Sequence, residues 1–188
     1  MNSNLAIKQI QNLDIKQHST IVVTSKRATG KSVLVQNLCY KLIQDYEYHS
    51  MIMFSSTAHL EEEWSFMNVI FNDDELDDKL QKLFDYQEKN IKKKQAVLIV
   101  LDDVNVLNNT RSKLLTKVYS LGRHLFLTII VSVQYPKYIL NGLIRNNIDY
   151  LFFSELNQTT LKGVYEMIFI DMTFKEKRQK QKIRDSQS

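Results

Sequence analysis

The sequence predicts an α/β fold built on a mostly parallel sheet, and three observations carry that prediction. Five short runs rich in β-branched residues recur along the chain, each apolar almost throughout rather than alternating, and helical periodicity fills segments between them. A continuous apolar run is what a strand covered on both faces requires. Strands alternating with amphipathic helices build βαβ units, hence an open sheet with helices on both faces.

Taken in order, the first strand is Thr20–Thr24 (TIVVT). Lys31–Tyr46 follows as a helix, with Val35, Leu38, Cys39 and Leu42 recurring at a 3.6-residue rhythm. Ser50–Ser55 (SMIMFS) is the second strand. Leu76, Leu80, Leu83 and Phe84 predict a helix over Asp74–Lys89, whose acidic start suits the positive end of a helix dipole. Ala96–Leu101, Leu127–Val133 and Asp149–Ser154 are three further strands. Arg111–Leu121 and Lys137–Arg145 are shorter helix candidates, and Gln158–Phe169 is a last helix running into a basic tail at about 172–188. No internal repeat is visible.

A length of 188 residues with 44% hydrophobic content suits a single domain over 1–188, and a charged fraction of 24% excludes wholesale disorder. Four glycines and one proline leave little for flexible linkers. Cys39 lies in an apolar helical stretch, where a buried thiol is expected. His18, His49, His59 and His124 are too scattered in sequence to suggest a metal cluster. The opening residues lack the apolar core of a signal peptide. No uninterrupted apolar run approaches the roughly 20 residues of a membrane span. A soluble chain in a reducing compartment, without membrane contact, is the expectation. Charge is uneven. The net +4 conceals a stretch, Glu61–Asn90, with ten acidic residues against three lysines, and a terminus, Lys175–Ser188, with six Lys/Arg against two acids. The basic terminus suits nucleic acid or an acidic partner surface, and equally a solvated helix end.

Ligands of open parallel sheets bind beyond the carboxyl ends of the strands, where the polar signals fall. Directly after the first strand comes Ser25-Lys26-Arg27-Ala28-Thr29-Gly30-Lys31-Ser32, which fits G-x-x-x-x-G-K-[ST] at seven of eight positions. Backbone N–H groups of Ala28 to Ser32, with the helix N-terminus, would curl around the phosphates of ATP. Gly30 admits the close approach, Lys31 reaches the β- and γ-phosphates, and the Ser32 hydroxyl ligates Mg²⁺. Ser25 stands where the pattern has its first glycine, a replacement tolerated if its φ stays negative. The strand Ala96–Leu101 ends in Asp102-Asp103. A metal ion offsets the cost of acids there, with Asp102 holding Mg²⁺ beside Ser32 and Asp103 polarising the attacking water. The alternative has Asp103 capping a turn at Asn105–Asn109. Gln134, at the tip of the fourth predicted strand, would orient the lytic water or report on the γ-phosphate, or be an ordinary strand-end amide. Arg123 and Arg145 would each serve as an arginine finger across a subunit boundary, or as surface ion-pair partners.

Together these residues resemble the FtsK–HerA superfamily of P-loop motors, and within it the poxvirus-type DNA-packaging ATPases of large DNA viruses and virophages. The matching parts are Ser25–Ser32, Leu98-Ile-Val-Leu-Asp-Asp-Val104, Gly122-Arg-His124, the strand reaching Gln134, and Leu143-Ile-Arg-Asn-Asn-Ile-Asp149. The resemblance covers roughly Lys16 to Glu155. It implies a three-layer, RecA-like ASCE core in which the sensor strand lies between the Walker A and Walker B strands. It also implies ATP and Mg²⁺ as cofactors, a homo-oligomeric ring of five or six subunits, double-stranded DNA as the track, and capsid vertex proteins as partners. Lys31 and Ser32 become the nucleotide and metal ligands, Asp102 the metal acid, Asp103 the catalytic acid, Gln134 the sensor, and Arg123 or Arg145 the intersubunit arginine. The expected location is the host cytoplasm or a virus factory, or the virion itself. Departures are the missing first glycine, Asp103 where a Glu is frequent, and a compact chain with no extra DNA- or capsid-binding domain expected. Two other readings stay open: a P-loop small-molecule or nucleotide kinase, and a nucleotide-binding structural or assembly protein with vestigial turnover.

Overall fold

The computed structural model describes residues 12–58, 62–104, 113–134, 145–154 and 161. All five expected strands form, with ends moved by a residue at most: β1 is Thr20–Thr24, β2 Ser50–Phe54, β4 Val97–Asp102, β5 Leu127–Val133 and β6 Tyr150–Phe153. A further strand, β3 (Val69–Phe71), escaped the sequence pattern because three residues at a sheet edge carry no readable period. Helix α1 is Lys31–Asp45, and α2 is Leu76–Lys89 behind a 3₁₀ turn at Asp73–Glu75. Helix α3, Lys113–Leu121, runs into a 3₁₀ turn at Gly122–Leu125. The expected helices at Lys137–Arg145 and Gln158–Phe169 (Arg145 and Leu161 apart), the Asn105–Asn109 turn and the basic tail lie outside the described residues.

The strands pair in the order β3-β2-β4-β5-β1-β6, and every pairing is parallel. Successive side chains of a strand point to opposite faces, so one set of strand residues meets α1 and the other meets α2 and α3. On the α1 face, Ile21, Val23, Leu98, Val100 and Ile130 pack with Val35, Leu38, Cys39 and Leu42. On the opposite face, Val22, Ile99, Leu101, Ile129 and Val131 pack with Leu76, Leu80, Phe84 and Val118. Two cores on one sheet make three layers. Cys39 is buried as expected, and burial, with the charge of Asp102 adding to it, pushes its thiol well above the usual range. Trp64, within the acidic stretch, is buried in the α1-side core, so that stretch supplies core as well as charge.

The amino ends of the strands are closed by hydrogen bonds. Gln87, buried near the end of α2, donates to the carbonyls of Gln95 (2.8 Å) and Leu125 (2.9 Å), joining the segments that lead into β4 and β5. The buried hydroxyl oxygen of Thr128 accepts from the His18 N–H (2.8 Å) and the Tyr48 hydroxyl (3.0 Å). Burial pushes the Tyr48 hydroxyl up to about 12, which keeps it a donor. Gly122 packs against β5 so closely that a methyl there would sit 2.8 Å from Ile129 Cδ1. Among the described residues no helix is long and apolar enough to cross a membrane.

Candidate nucleotide site

The parallel order brings the tips of β1, β5 and β4 side by side, with β2 next to β4. A cleft of about 440 Å³ opens there. Lys26, Arg27, Ala28, Gly30, Lys31 and Ser32 line it from the loop between β1 and α1, and Asp102, Asp103 and Gln134 line it from the strand tips. Two expected cradle residues work behind it instead. Ser25 is buried and is not among the positive-φ residues, which meets the condition for replacing a glycine. The Thr29 hydroxyl turns back to the Lys26 carbonyl at 2.8 Å. The loop's left-handed turns fall at Ala28 (φ 58°) and Gly30 (φ 81°).

Gly30 is the N-cap of α1, and neither a capping side chain nor an acidic residue serves that helix's first turn. The leading N–H groups of a helix have no intrahelical acceptor, and together with the dipole they favour an anion. Sequence and backbone therefore leave an open receptor for phosphate at the loop.

Lys31, though nearly buried, forms an ion pair with Asp103, and Gln134 Nε2 donates to the other oxygen of the same carboxylate at 3.0 Å. Asp103 takes φ 46° and anchors its N–H on Ser132 O at 3.0 Å, which turns the chain at the end of β4 toward β5. Three residues singled out from separate parts of the sequence thus meet at one carboxylate. The shorter arm of Asp103 reaches both partners. Asp102, paired in register with Ser132, is buried at the strand end.

Ser32 and Asp102 fit a magnesium ion by the chemistry of their donors. Both present oxygen to the same cleft, and Mg²⁺ characteristically takes one or two protein oxygens plus phosphates and water. Among the described residues no group of three or more His, Cys, Asp and Glu stands ready to hold a metal by itself.

The turn after β2 went unread in the sequence. Ser55, Ser56 and Thr57 line the cleft beside Asp103, and the buried Ser55 hydroxyl accepts from the N–H groups of Thr57 (3.3 Å) and Ala58 (3.2 Å). Ser-Ser-Thr belongs to no phosphate motif; only the placement of β2 against β4 brings it to the site.

Arg123 and Arg145 lie at the other end of the sheet. Arg123 precedes β5 and is ion-paired with Asp149, while Arg145 precedes β6. Both sit at amino ends, with the length of β5, about 20 Å, between that edge and the loop's own cleft. Neither reaches the loop between β1 and α1 of its own chain.

Comparison with known proteins agrees with this geometry. A family model described as Poxvirus A32 protein matches residues 9–183. No curated protein matches the chain in sequence. Among solved structures, the DNA-packaging ATPase B204 of Sulfolobus Turreted Icosahedral Virus superposes with a TM-score of 0.56 at 15% identity, covering 82% of this chain and 84% of its own. The genome packaging NTPase B204 of Sulfolobus turreted icosahedral virus 2, in complex with ATP-gammaS, gives 0.57 at 16% identity over 84% and 85%. The pCW3 conjugation coupling protein TcpA gives 0.59 at 18% identity over 74% of this chain, which spans only 49% of that protein. At these identities the likeness is one of fold, the fold of P-loop ATPases. With the family model matching nearly its whole length, the chain belongs to the poxvirus A32 protein family.

Proposed function

We propose that this ATPase works as a subunit of a homo-oligomeric ring, hexameric or pentameric, that moves double-stranded DNA into a viral capsid. One observation carries the chemistry: Asp103 is shared by Lys31 of the phosphate loop and Gln134 of the adjacent strand. The nucleotide phosphates compete with Asp103 for the ammonium group of Lys31. ATP entering the open start of α1 draws Lys31 onto its β- and γ-phosphates and releases the carboxylate, still held by Gln134, to accept a proton from water. Binding thereby arms the base. Ser32 and Asp102 would hold Mg²⁺, which supplies Lewis-acid neutralisation of the phosphate oxygens when bound. Family membership supports the packaging role, and so does the fold shared with the two B204 proteins, a DNA-packaging ATPase and a genome packaging NTPase. The whole chain is read as one ATPase domain. Capsid vertex proteins are the docking partners in this reading, and the virus factory or virion is the place of work. An arginine completing the site from Arg123 or Arg145 would have to come from a neighbouring subunit, because both lie at the far edge of the sheet.

The test is steady-state ATP hydrolysis with and without double-stranded DNA at two salt concentrations, against Lys31→Ala. The expected result is DNA-stimulated turnover that weakens with salt, as phosphate contacts do, and falls about 10³-fold in the variant. Turnover that survives Lys31→Ala would place hydrolysis elsewhere. Transfer of phosphate to an added acceptor rather than to water would favour the kinase reading.

A further inference from the structure

The described cleft carries three cations: Lys26, Arg27 and Lys31. Lys31 has its role, and the two arginines expected to act on the γ-phosphate stand at the opposite edge of the sheet. Arg27 stands in the cleft already. It occupies the apex of the phosphate loop, is exposed, and has no ion pair among the described residues. The backbone under it is built rather than slack. The Lys26 carbonyl accepts the hydroxyls of Ser25 (3.3 Å) and Thr29 (2.8 Å), and Ala28 takes the left-handed conformation directly after Arg27. Thr29 Oγ1 in turn accepts from Ser154 Oγ at 3.4 Å, tying the loop to the tip of β6. A fixed loop with a guanidinium at its apex presents a planar, permanently charged fork to whatever phosphate lies in the cradle.

We propose that Arg27 is a catalytic arginine supplied in cis, acting on the γ-phosphate of the nucleotide held by its own loop. The inference rests on the ATPase reading above and sharpens it. In hydrolysis the water oxygen bonds to the γ-phosphorus, the water proton passes to Asp103, and the bond to the β–γ bridging oxygen breaks with its electron pair leaving on ADP. Negative charge spreads over the equatorial γ-oxygens as this happens, and beside Lys31 and any magnesium ion that Ser32 and Asp102 would hold, a further cation lowers its cost. Arg27 meets that charge without waiting for a neighbouring subunit. ADP lacks the γ-phosphate, so its affinity should depend little on Arg27.

The experiment compares Arg27→Ala, Arg27→Lys and Lys31→Ala in the full chain, measuring turnover at saturating ATP, ADP affinity, and turnover of mixed variants. Arg27→Ala should lower saturated turnover about 10³-fold, the range for a catalytic arginine, and leave ADP affinity within about threefold. Arg27→Lys should recover only part of the loss, since a point charge does not replace the fork. Mixing Arg27→Ala with Lys31→Ala is the deciding arm. Arginines acting across subunits let two dead variants complement each other, whereas a cis arginine and Lys31 are needed on one chain and mixing restores nothing. Recovery on mixing overturns the proposal, as does saturated turnover within about threefold of wild type, or an ADP affinity that falls as far as turnover does. A wild-type chain that binds no nucleotide would instead defeat the ATPase reading itself and this inference with it.

Discussion

Helices α1 and α2 both begin at the carboxyl edge of the same sheet, yet their first turns are opposites. The start of α1 has a glycine N-cap, no acidic residue and a buried lysine. The start of α2 has Asp77 and Asp78 in its first turn. Like α1 it has no side-chain cap of its own, but it continues the 3₁₀ turn Asp73–Glu75, which opens with a capping box in which the Asn72 N–H donates to the Glu75 carboxylate at 3.3 Å. A helix start satisfied by its own chain is a structural strut, and one left unsatisfied is a receptor. The difference separates the two faces of the sheet: in the proposed reading α1 presents the nucleotide site, whereas α2 secures the strands, ending in the Gln87 amide that bridges Gln95 and Leu125.

The sharpest way to break this contrast is to give α1 a cap of its own. Gly30→Asp adds a side chain where nothing lies within 4 Å, at a φ that Asp tolerates better than most residues. An Asp cap gains only a few tenths of a kcal/mol over glycine while the left-handed backbone costs about 1–2, so stability should fall by about 1–2 kcal/mol. A carboxylate facing the phosphates costs several kcal/mol, so ATP affinity should fall at least about a hundredfold. Titration with a fluorescent ATP analogue, beside a thermal melt, measures both. Retained affinity would mean that phosphate does not sit at the α1 start.

The converse change is made in α2. Gln87→Leu strands the buried carbonyl of Leu125 and the part-buried one of Gln95 and should lower stability by about 2–3 kcal/mol, read from the urea midpoint. Nucleotide affinity at a temperature where the variant is folded should stay within about twofold. A matching loss of affinity would show the two edges of the sheet to be coupled.

How far all this was legible depends on the range of the physics involved. The loop from Ser25 to Gly30 could be placed because the strand before it and the helix after it are contiguous in sequence. The strands could be read because both faces are buried, leaving nearly unbroken apolar runs. What stayed hidden depended on neighbours distant in sequence. Ser55–Thr57 enter the site only because β2 lies against β4, and Arg123 is tied to Asp149 only because the residues leading into β5 and β6 meet at one edge. Gln87 looked like one more polar residue on an amphipathic helix, and only its two acceptors reveal it as a clamp. Arg27 fills an unspecified position of the loop pattern, and only the placement of Arg123 and Arg145 across the sheet singles out its charge at the cleft.

The smallest effect belongs to the cap itself. Asn72→Ala removes the capping-box bond that the Asn72 side chain accepts, leaves the backbone N–H of residue 72 on the Glu75 carboxylate, and should lower stability by about 1 kcal/mol, with ATP affinity unchanged within about twofold. A route nonetheless runs from this cap to the cleft. Phe71, the residue before Asn72, accepts the Ser55 N–H at 3.0 Å, and Ser55 holds the turn that lines the nucleotide site. Measuring the melt and the affinity on one sample therefore decides whether the α2 start is only a strut. Loss of stability alone keeps the two helix starts separate in function, whereas weakened ATP binding would mean that the Ser55 turn is positioned from β3 and that the acidic stretch contributes to the site.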